Sequence, residues 1–576
     1  MAEPNSGGTQ GGPGQPKELS MELRLLLAFI LMGVVLFLTP YFYKTVSPPV
    51  KKTAVAAKTE PAPSPSGAAP ASAETAAVPN APSAVPPVAA QQEETRVIDT
   101  DDFRVTFTNH GGVVKSWLLK KYKAHSGAPL ELVNTRAHTD LPGSFYFPLH
   151  NPSVDLNQAL YKVDTDGLAV HFDFSNGVVV AHKTFQFAKS SYLLNVSTEV
   201  TEGGKPLPSE IVWRGGFGDM GVTNPAGAQQ TLRFDLTDSK LVKSAAKVAK
   251  DHPATVTGNY SFAGIEDQYF VAAFLPEKSA SVEMTTFSDN AATPLETKEL
   301  AFAGVGVGDG SANRFSLYVG PKDIDTLRAV NPRLEQVVDF GWPVIATMAK
   351  YLFLAVNWIA HNAIHNYGWS IIVVTIILNF LLLPLKMTSM KSMKKMQALQ
   401  PQIAAINDKY KNVGLRDPRK ADQNQEVMDL YKKYGVNPMG GCVPMLLQFP
   451  LIIAFYRVFS VSVEMRGASW LWVTDLSQPE TLAIHILPII MIFSQFVMQK
   501  MTPTAPGSDP NQQKMLMIMP LVFGFMFYNF SSGLVLYYLT SNLVGIAQQW
   551  FFNRTSLAAV AAQSVQPPKK KKDGKK

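Results

Sequence analysis

The 576-residue chain contains a single cysteine, Cys442, so no disulfide framework and no cysteine-based metal site can form within one chain. Charge is sparse as well, with Asp, Glu, Lys and Arg together making up 17% of the residues. None of the long apolar runs in the last third contains an Asp or Glu. That absence, and the lack of an internal repeat, argue against an ion channel or secondary transporter, which uses acidic relays or paired broken helices within its spans. A Walker loop, a nucleophile elbow and a metal-ligand set are also missing. His361 and His365 stand four residues apart without the carboxylate of an HExxH set, and read as surface polar residues. Gly304–Gly310, GVGVGDG, fails the GxGxxG spacing and reads as a loop. These absences point away from an enzyme and from any cofactor.

What is present is a set of apolar runs: Trp369–Leu385, Cys442–Val463, Leu482–Met498, Met515–Phe530 and Leu534–Phe552. Each is long enough as a helix to cross, or nearly cross, a hydrocarbon core of ~30 Å. Arg457 lies inside the second run, where a charge costs roughly 2.5–3.5 kcal/mol on insertion scales. Polar groups recur in the runs: Thr375, Asn379, Gln448, Ser460, Ser462, Gln495, Asn529, Thr540, Ser541 and Asn542. Singly, each can bond a neighbouring helix; together they suffice to line a wet cavity. A plain anchor for an external domain would leave Arg457 unexplained.

Along the chain, residues 1–20 form a Gly/Pro/Gln-rich tail, 21–43 an uncleaved signal anchor, and 44–95 a Pro/Ala-rich extended linker. Residues 96–330 alternate with period two, as in Phe103-Arg104-Val105-Thr106-Phe107, His171-Phe172-Asp173-Phe174 and Thr184-Phe185-Gln186-Phe187, and predict a large all-β sandwich. Residues 331–367 hold an amphipathic helix with Val344, Met348, Tyr351, Leu352, Ala355 and Ile359 on one face, as an interfacial helix requires. Residues 368–552 are the polytopic helical core. Within it, Lys386–Tyr434 carries eleven Lys/Arg against five Asp/Glu, a local net charge of +6, and a helical hairpin over 387–436 is expected. Its stripes are Met393, Met396, Ile403, Ile406 and Tyr410 against Val427, Leu430, Tyr431 and Tyr434, broken at Pro401. A basic tail, 553–576, follows. Placing the basic hairpin in the cytosol puts both termini there and the β domain outside. Six spans close that scheme without contradiction.

The run Asn437-Pro438-Met439-Gly440-Gly441-Cys442-Val443-Pro444-Met445-Leu446-Leu447-Gln448-Phe449-Pro450, with Leu399-Gln400-Pro401, Leu430-Tyr431-Lys432-Lys433-Tyr434, Glu464-Met465-Arg466 and Ser532-Gly533-Leu534-Val535-Leu536-Tyr537-Tyr538, resembles the YidC family of bacterial membrane protein insertases. The likeness spans residues 366–552 and extends more weakly through the β domain at Asp267-Gln268-Tyr269-Phe270. It implies a Gram-negative inner-membrane protein with a periplasmic β domain and a five-helix core around a hydrophilic groove. Its implied partners are nascent membrane proteins, the Sec translocon with its accessory subunits, the ribosome through hairpin and tail, and the lipid bilayer. No specific nucleic-acid sequence and no nucleotide hydrolysis are implied. The family carries an arginine in the groove where this chain has Asn379, and Arg457 is expected to replace that charge. The expected groove residues are then Arg457, Asn379, Thr375, Gln448, Ser460, Gln495, Tyr538 and Thr540. Met393, Lys394, Lys395 and Met396 are expected on the substrate-receiving hairpin.

Overall fold

A computed structural model describes residues 86–560 except 125, 223, 278–280, 295–296, 311, 412–416, 437–442 and 503–509. The tail at 1–20, the signal anchor at 21–43, the linker to residue 85, the Asn437–Cys442 motif and the tail beyond 560 lie outside the described residues. All described residues belong to the unit Pro82–Lys576.

The period-two segments are strands. A four-stranded antiparallel sheet runs in order through β1 (Thr95–Asp99), β2 (Phe103–Thr108), β3 (Val113–Lys123) and β4 (Pro129–Glu131). The larger sheet contains β5 (Ser144–Tyr146), β6 (Lys162–Asp166), β7 (Ala169–Ser175), β8 (Val179–Phe187), β9 (Leu193–Glu202), β10 (Lys205–Pro206) and β11 (Glu210–Trp213). It continues with β12 (Gln230–Asp235), β13 (Lys240–Ser244), β14 (Ala254–Glu266), β15 (Phe270–Pro276), β16 (Ser281–Ala291), β17 (Leu300–Gly308) and β18 (Ala312–Pro321). Its main path is β5-β11-β17-β16-β14-β15-β18-β9-β8-β7-β6. Strand β14 makes the corner: Ala254–Asn259 pair with β16, whereas Ala263–Glu266 pair with β15. One long strand thereby serves two layers.

Alternation decides which side chains meet inside. Phe172 and Phe174 of β7, with Phe185 and Phe187 of β8, are buried against Phe103, Phe107 and Trp117 of the small sheet. Phe107 and Phe185 have ring centroids 5.1 Å apart. The Ser175-Asn176-Gly177 turn joins β7 to β8, with Gly177 at φ +90 and Asn176 Oδ1 accepting from the N–H groups of Val178 and Val179. The GVGVGDG segment corrects its reading as a loop: Gly304, Gly306 and Gly308 lie in β17. A Cβ on Gly306 would meet the Glu210 carboxylate, and one on Gly308 the Ser209 carbonyl. The glycines let β11 and its buried carboxyl lie close.

The helical region starts at α1 (Pro343–Ile359), which runs on through a π turn to Ile364, and continues with α2 (Tyr367–Leu381), α3 (Leu383–Ala398), α4 (Gln400–Lys409) and α5 (Arg419–Lys433). Then come α6 (Val443–Val461), α7 (Ile486–Met501), α8 (Pro510–Phe527) and α9 (Ser532–Val560). The segment Pro343–Ile364 is, among the described residues, the one continuous helix both long and apolar enough to cross a membrane on length and composition. Its buried stripe is Ala349, Leu352, Phe353, Val356 and Ala360. On the expected apolar face only Leu352 is buried, while Val344, Tyr351 and Ala355 are exposed, so protein does not cover that face.

The expected single run Trp369–Leu385 is two helices, α2 and α3, bent by 57°. Pro384, at the second position of α3, has no N–H to bond Phe380 and bends the chain there. The expected Leu482–Met498 run is helical only from Ile486. In the hairpin, α3 and α4 meet at Leu399 just before Pro401, and Met396, Leu399, Ile403, Tyr431 and Val436 form its small core. Asp417 Oδ1 accepts from the N–H of Arg419 at the start of α5.

Candidate functional site

The polar residues of the bundle gather on α2, α6, α7 and α9, because α9 presents Tyr537, Ser541, Asn542 and Gln548 toward the other three helices. Gln448 Nε2 of α6 donates to Tyr537 Oη at 2.7 Å and lies 3.4 Å from Ser541 Oγ. From α2, Asn379 Nδ2 donates to the Thr375 carbonyl at 2.8 Å and lies 3.5 Å from the same Ser541 Oγ. Gln548 Nε2 donates to the Asn379 carbonyl at 3.3 Å. The 57° bend after α2 then brings Lys386 back over its own chain, and its Nζ donates to Asn379 Oδ1 at 2.6 Å. A cation, two amides and two hydroxyls therefore form one chain from the hairpin side of the bundle into its centre. Tyr537 is fixed at the inner end by stacking on Phe455, with centroids 4.0 Å apart.

A second branch runs through α7. Asn542 Nδ2 donates to Ser494 Oγ at 3.1 Å, and Ser494 Oγ donates to the Met491 carbonyl at 2.7 Å. Beside it, Gln495 Oε1 is buried with no hydrogen-bond partner among the described residues. A buried acceptor left open in this way is a place for water or an incoming polar group.

The predicted groove residues divide. Asn379 and Gln448 belong to the chain, Thr375 supplies its carbonyl to it, and Gln495 adjoins the second branch. Thr375 and Thr540 turn their hydroxyls to the carbonyls of Ile371 and Leu536 one turn back. Tyr538 stacks on Phe527 of α8, centroids 5.1 Å apart. The structure does not bring Arg457 or Ser460 to the cluster. Arg457 is nine residues beyond Gln448 on α6, about 13 Å along the axis at 1.5 Å per residue, and packs against Gly341 under the β domain. The Ser460 carbonyl accepts from Gln268 Nε2 of the β domain at 3.0 Å, and its hydroxyl turns back to Tyr456. On the hairpin, Met396 is buried in the hairpin core, Met393 and Lys394 are half-buried, and Lys395 is exposed.

Lys386 is the member that sequence reasoning missed as a site residue, since it counts there as one of the basic hairpin's charges. The signal was Pro384: a proline between an intramembrane amide and the first lysine allows that lysine to fold back.

Around the cluster the bundle is joined to the β domain by a buried ion pair. Arg466 Nε donates to Asp219 Oδ2 at 2.7 Å, and an Arg466 terminal nitrogen donates to the Lys123 carbonyl at 2.7 Å. Val463 enters the β-domain core, and Gln478 Nε2 donates to Tyr269 Oη at 3.2 Å. The helix ends on this side are therefore held by a rigid floor.

Residues 358–559 match the family model described as 60Kd inner membrane protein, and residues 95–355 match the YidC periplasmic domain. The chain is 34% identical to the membrane protein insertase YidC of Geotalea daltonii, over 93% of this chain and 99% of that one. It is 36% identical to the membrane protein insertase YidC of Cupriavidus necator, over 84% of this chain and 87% of that one. Among solved structures it is similar to an active YidC insertase with the first transmembrane domain resolved, at 18% identity and a TM-score of 0.35, covering 92% of this chain and 99% of that one. A β sandwich joined to this helical bundle, matched along nearly its whole length by such relatives, places the chain in the YidC family of membrane protein insertases.

Proposed function

We propose that this chain inserts integral membrane proteins into the inner membrane by offering a substrate's polar tail the chain Lys386–Asn379–Ser541–Gln448–Tyr537 in place of water. The single observation that carries the reading is the Lys386 ammonium turned inward onto the buried Asn379 amide. Moving an acidic or polar residue across bare lipid costs several kcal/mol per group. Amides and hydroxyls that exchange partners lower that barrier without a covalent step or nucleotide hydrolysis. The cation at the hairpin end attracts acidic residues as they enter. The substrate's own apolar helix then leaves into lipid, which supplies the driving force.

Helix length supports the same mechanism. With 16 residues, α7 is about 24 Å long at 1.5 Å per residue, against a hydrocarbon core of ~30 Å. Short helices thin the bilayer around them, so the polar route and the apolar barrier shorten together. In this reading the hairpin and both termini are cytosolic. The ribosome meets the basic hairpin and tail, and the Sec translocon with its accessory subunits works beside the bundle.

Reconstitution into protein-free liposomes with a nascent single-span substrate tests the proposal. The wild type inserts an acidic-tailed substrate without nucleotide. Lys386→Gln slows it by roughly 5–30-fold, the equivalent of ~1–2 kcal/mol of barrier, and slows a neutral-tailed substrate much less. Equal effects on both tails would remove Lys386 from the route, and insertion no better than into empty liposomes would remove the function.

A further inference from the structure

In the segment joining α6 to α7, residues 462–485, the stretch 464–481 between the two apolar runs carries Glu464, Asp475 and Glu480 and reads in sequence as a loop facing outside. The fold buries one of those acids and half-buries the other two. Glu480 is 5% exposed; its Oε1 accepts from Trp472 Nε1 and its Oε2 from the N–H of Leu487 at the start of α7, both at 2.8 Å. Asp475 Oδ1 accepts from the N–H and hydroxyl of Ser477 at 2.8 and 2.7 Å. What faces outward instead is apolar: Leu471 and Ile484 are each 64% exposed, and Trp472 and Leu482 are also open. Leu471 adopts φ +50, a left-handed conformation unfavourable for a leucine. Reciprocal backbone hydrogen bonds between Trp470 and Val473, at 2.9 and 2.8 Å, hold that turn.

A water-facing loop tucks in its leucines; here they stand open while the acid nearest α7, Glu480, is buried. The apolar surface continues into the bundle: past His485, which is half-buried, stacks on Tyr528 and bonds the Tyr528 carbonyl, Ile484 leads to the exposed Ile486 and Ile489 of α7, on the lipid side of an integral membrane protein. Three indoles stand in the same layer. Trp470 lies 5.7 Å from Trp369 and 5.9 Å from Trp472 between ring centroids, a grouping suited to a membrane–water interface. We infer that the tip of this loop, Leu471-Trp472 with Leu482 and Ile484, is embedded in the acyl chains of the leaflet facing the β domain. Continuity with the α7 face selects lipid, rather than a second protein, as the occupant. The tip therefore fixes the depth at which α7 begins, independently of the polar route inside the bundle. The inference rests on the bundle's place in the membrane, not on Lys386.

The test uses the full chain carrying Cys442→Ser, in liposomes of phosphatidylethanolamine and phosphatidylglycerol. A nitroxide is attached at Leu471→Cys, at Phe493→Cys on the exposed face of α7, or at Lys162→Cys on the β-domain surface. Collision with oxygen and with a water-soluble nickel chelate is then measured. Position 471 is expected to match 493, with an oxygen-to-chelate ratio several-fold above that at 162. A ratio at 471 equal to that at 162 would overturn the inference, as would protection from both reagents, which would mean protein covers the tip. Chelate access at 493 as well would overturn the membrane placement along with it.

Discussion

Glu210 buries its carboxyl in the β domain, where desolvation pushes its pKa up to about 8 from an ordinary 4.5, against the lowering effect of the Thr285 hydroxyl. Between pH 4.5 and 8 the folded state keeps a proton that the unfolded state has lost, so this group makes stability fall as pH rises through that window. Lys183 acts oppositely. Fully buried among the carbonyls of Gly111, Gly112 and Gly143, it is pushed down to about 7 by desolvation. The unfolded chain holds its proton up to about 10.5, so this group makes stability rise with pH above 7. Glu210→Gln should therefore raise the thermal midpoint of the full chain in detergent progressively from pH 5 to pH 8 relative to wild type, with the difference constant above. A pH-independent difference would show that Glu210 ionises normally. Other residue-level features were open to the sequence only in part. Asn379 and Gln448 were visible as polar groups in apolar runs. The partner of Asn379 was not, because seven residues and a proline-induced bend separate it from Lys386. Arg457 was visible as an intramembrane charge, but its depth depends on where α6 meets the β domain, which no local pattern records.

Among the elements, the turn after α6 couples the two halves of the molecule. The Arg466 and Asp219 side chains are 6% and 3% exposed, so removing one leaves the other charged and buried. Arg466→Met should cost about 3–5 kcal/mol, read as a drop in the unfolding midpoint and as new protease sensitivity at the junction. The pair replacement Arg466→Met with Asp219→Leu should recover most of the loss. A surface-like loss below about 1 kcal/mol for Arg466→Met would mean that the latch is not dry. Strands that alternate, such as β7 and β8, were legible because burial on one face imposes period two. Strand β17 was not, because glycines chosen to admit Glu210 look the same as glycines chosen for a turn. Helix α1 was legible as an apolar helix, but which of its apolar residues the protein covers was not, because a face against protein and a face against lipid carry the same chemistry.

For the whole molecule, the division into an alternating β domain and an apolar helical region was readable because hydropathy patterns act over tens of residues. The motif from Asn437 to Pro450 led to the YidC family, to which the chain belongs. Whether the centre of the bundle admits water depends on helix packing, and composition alone does not decide it. The most direct measurement is reagent access at the inner half of the polar chain. With Cys442→Ser as background, Gln448→Cys in oriented proteoliposomes should react with a membrane-impermeant maleimide supplied from the hairpin side and not from the β-domain side. Phe493→Cys should resist from both sides. If position 448 is as unreactive as 493 from the hairpin side, the polar chain only ties helices together and the proposed route does not exist.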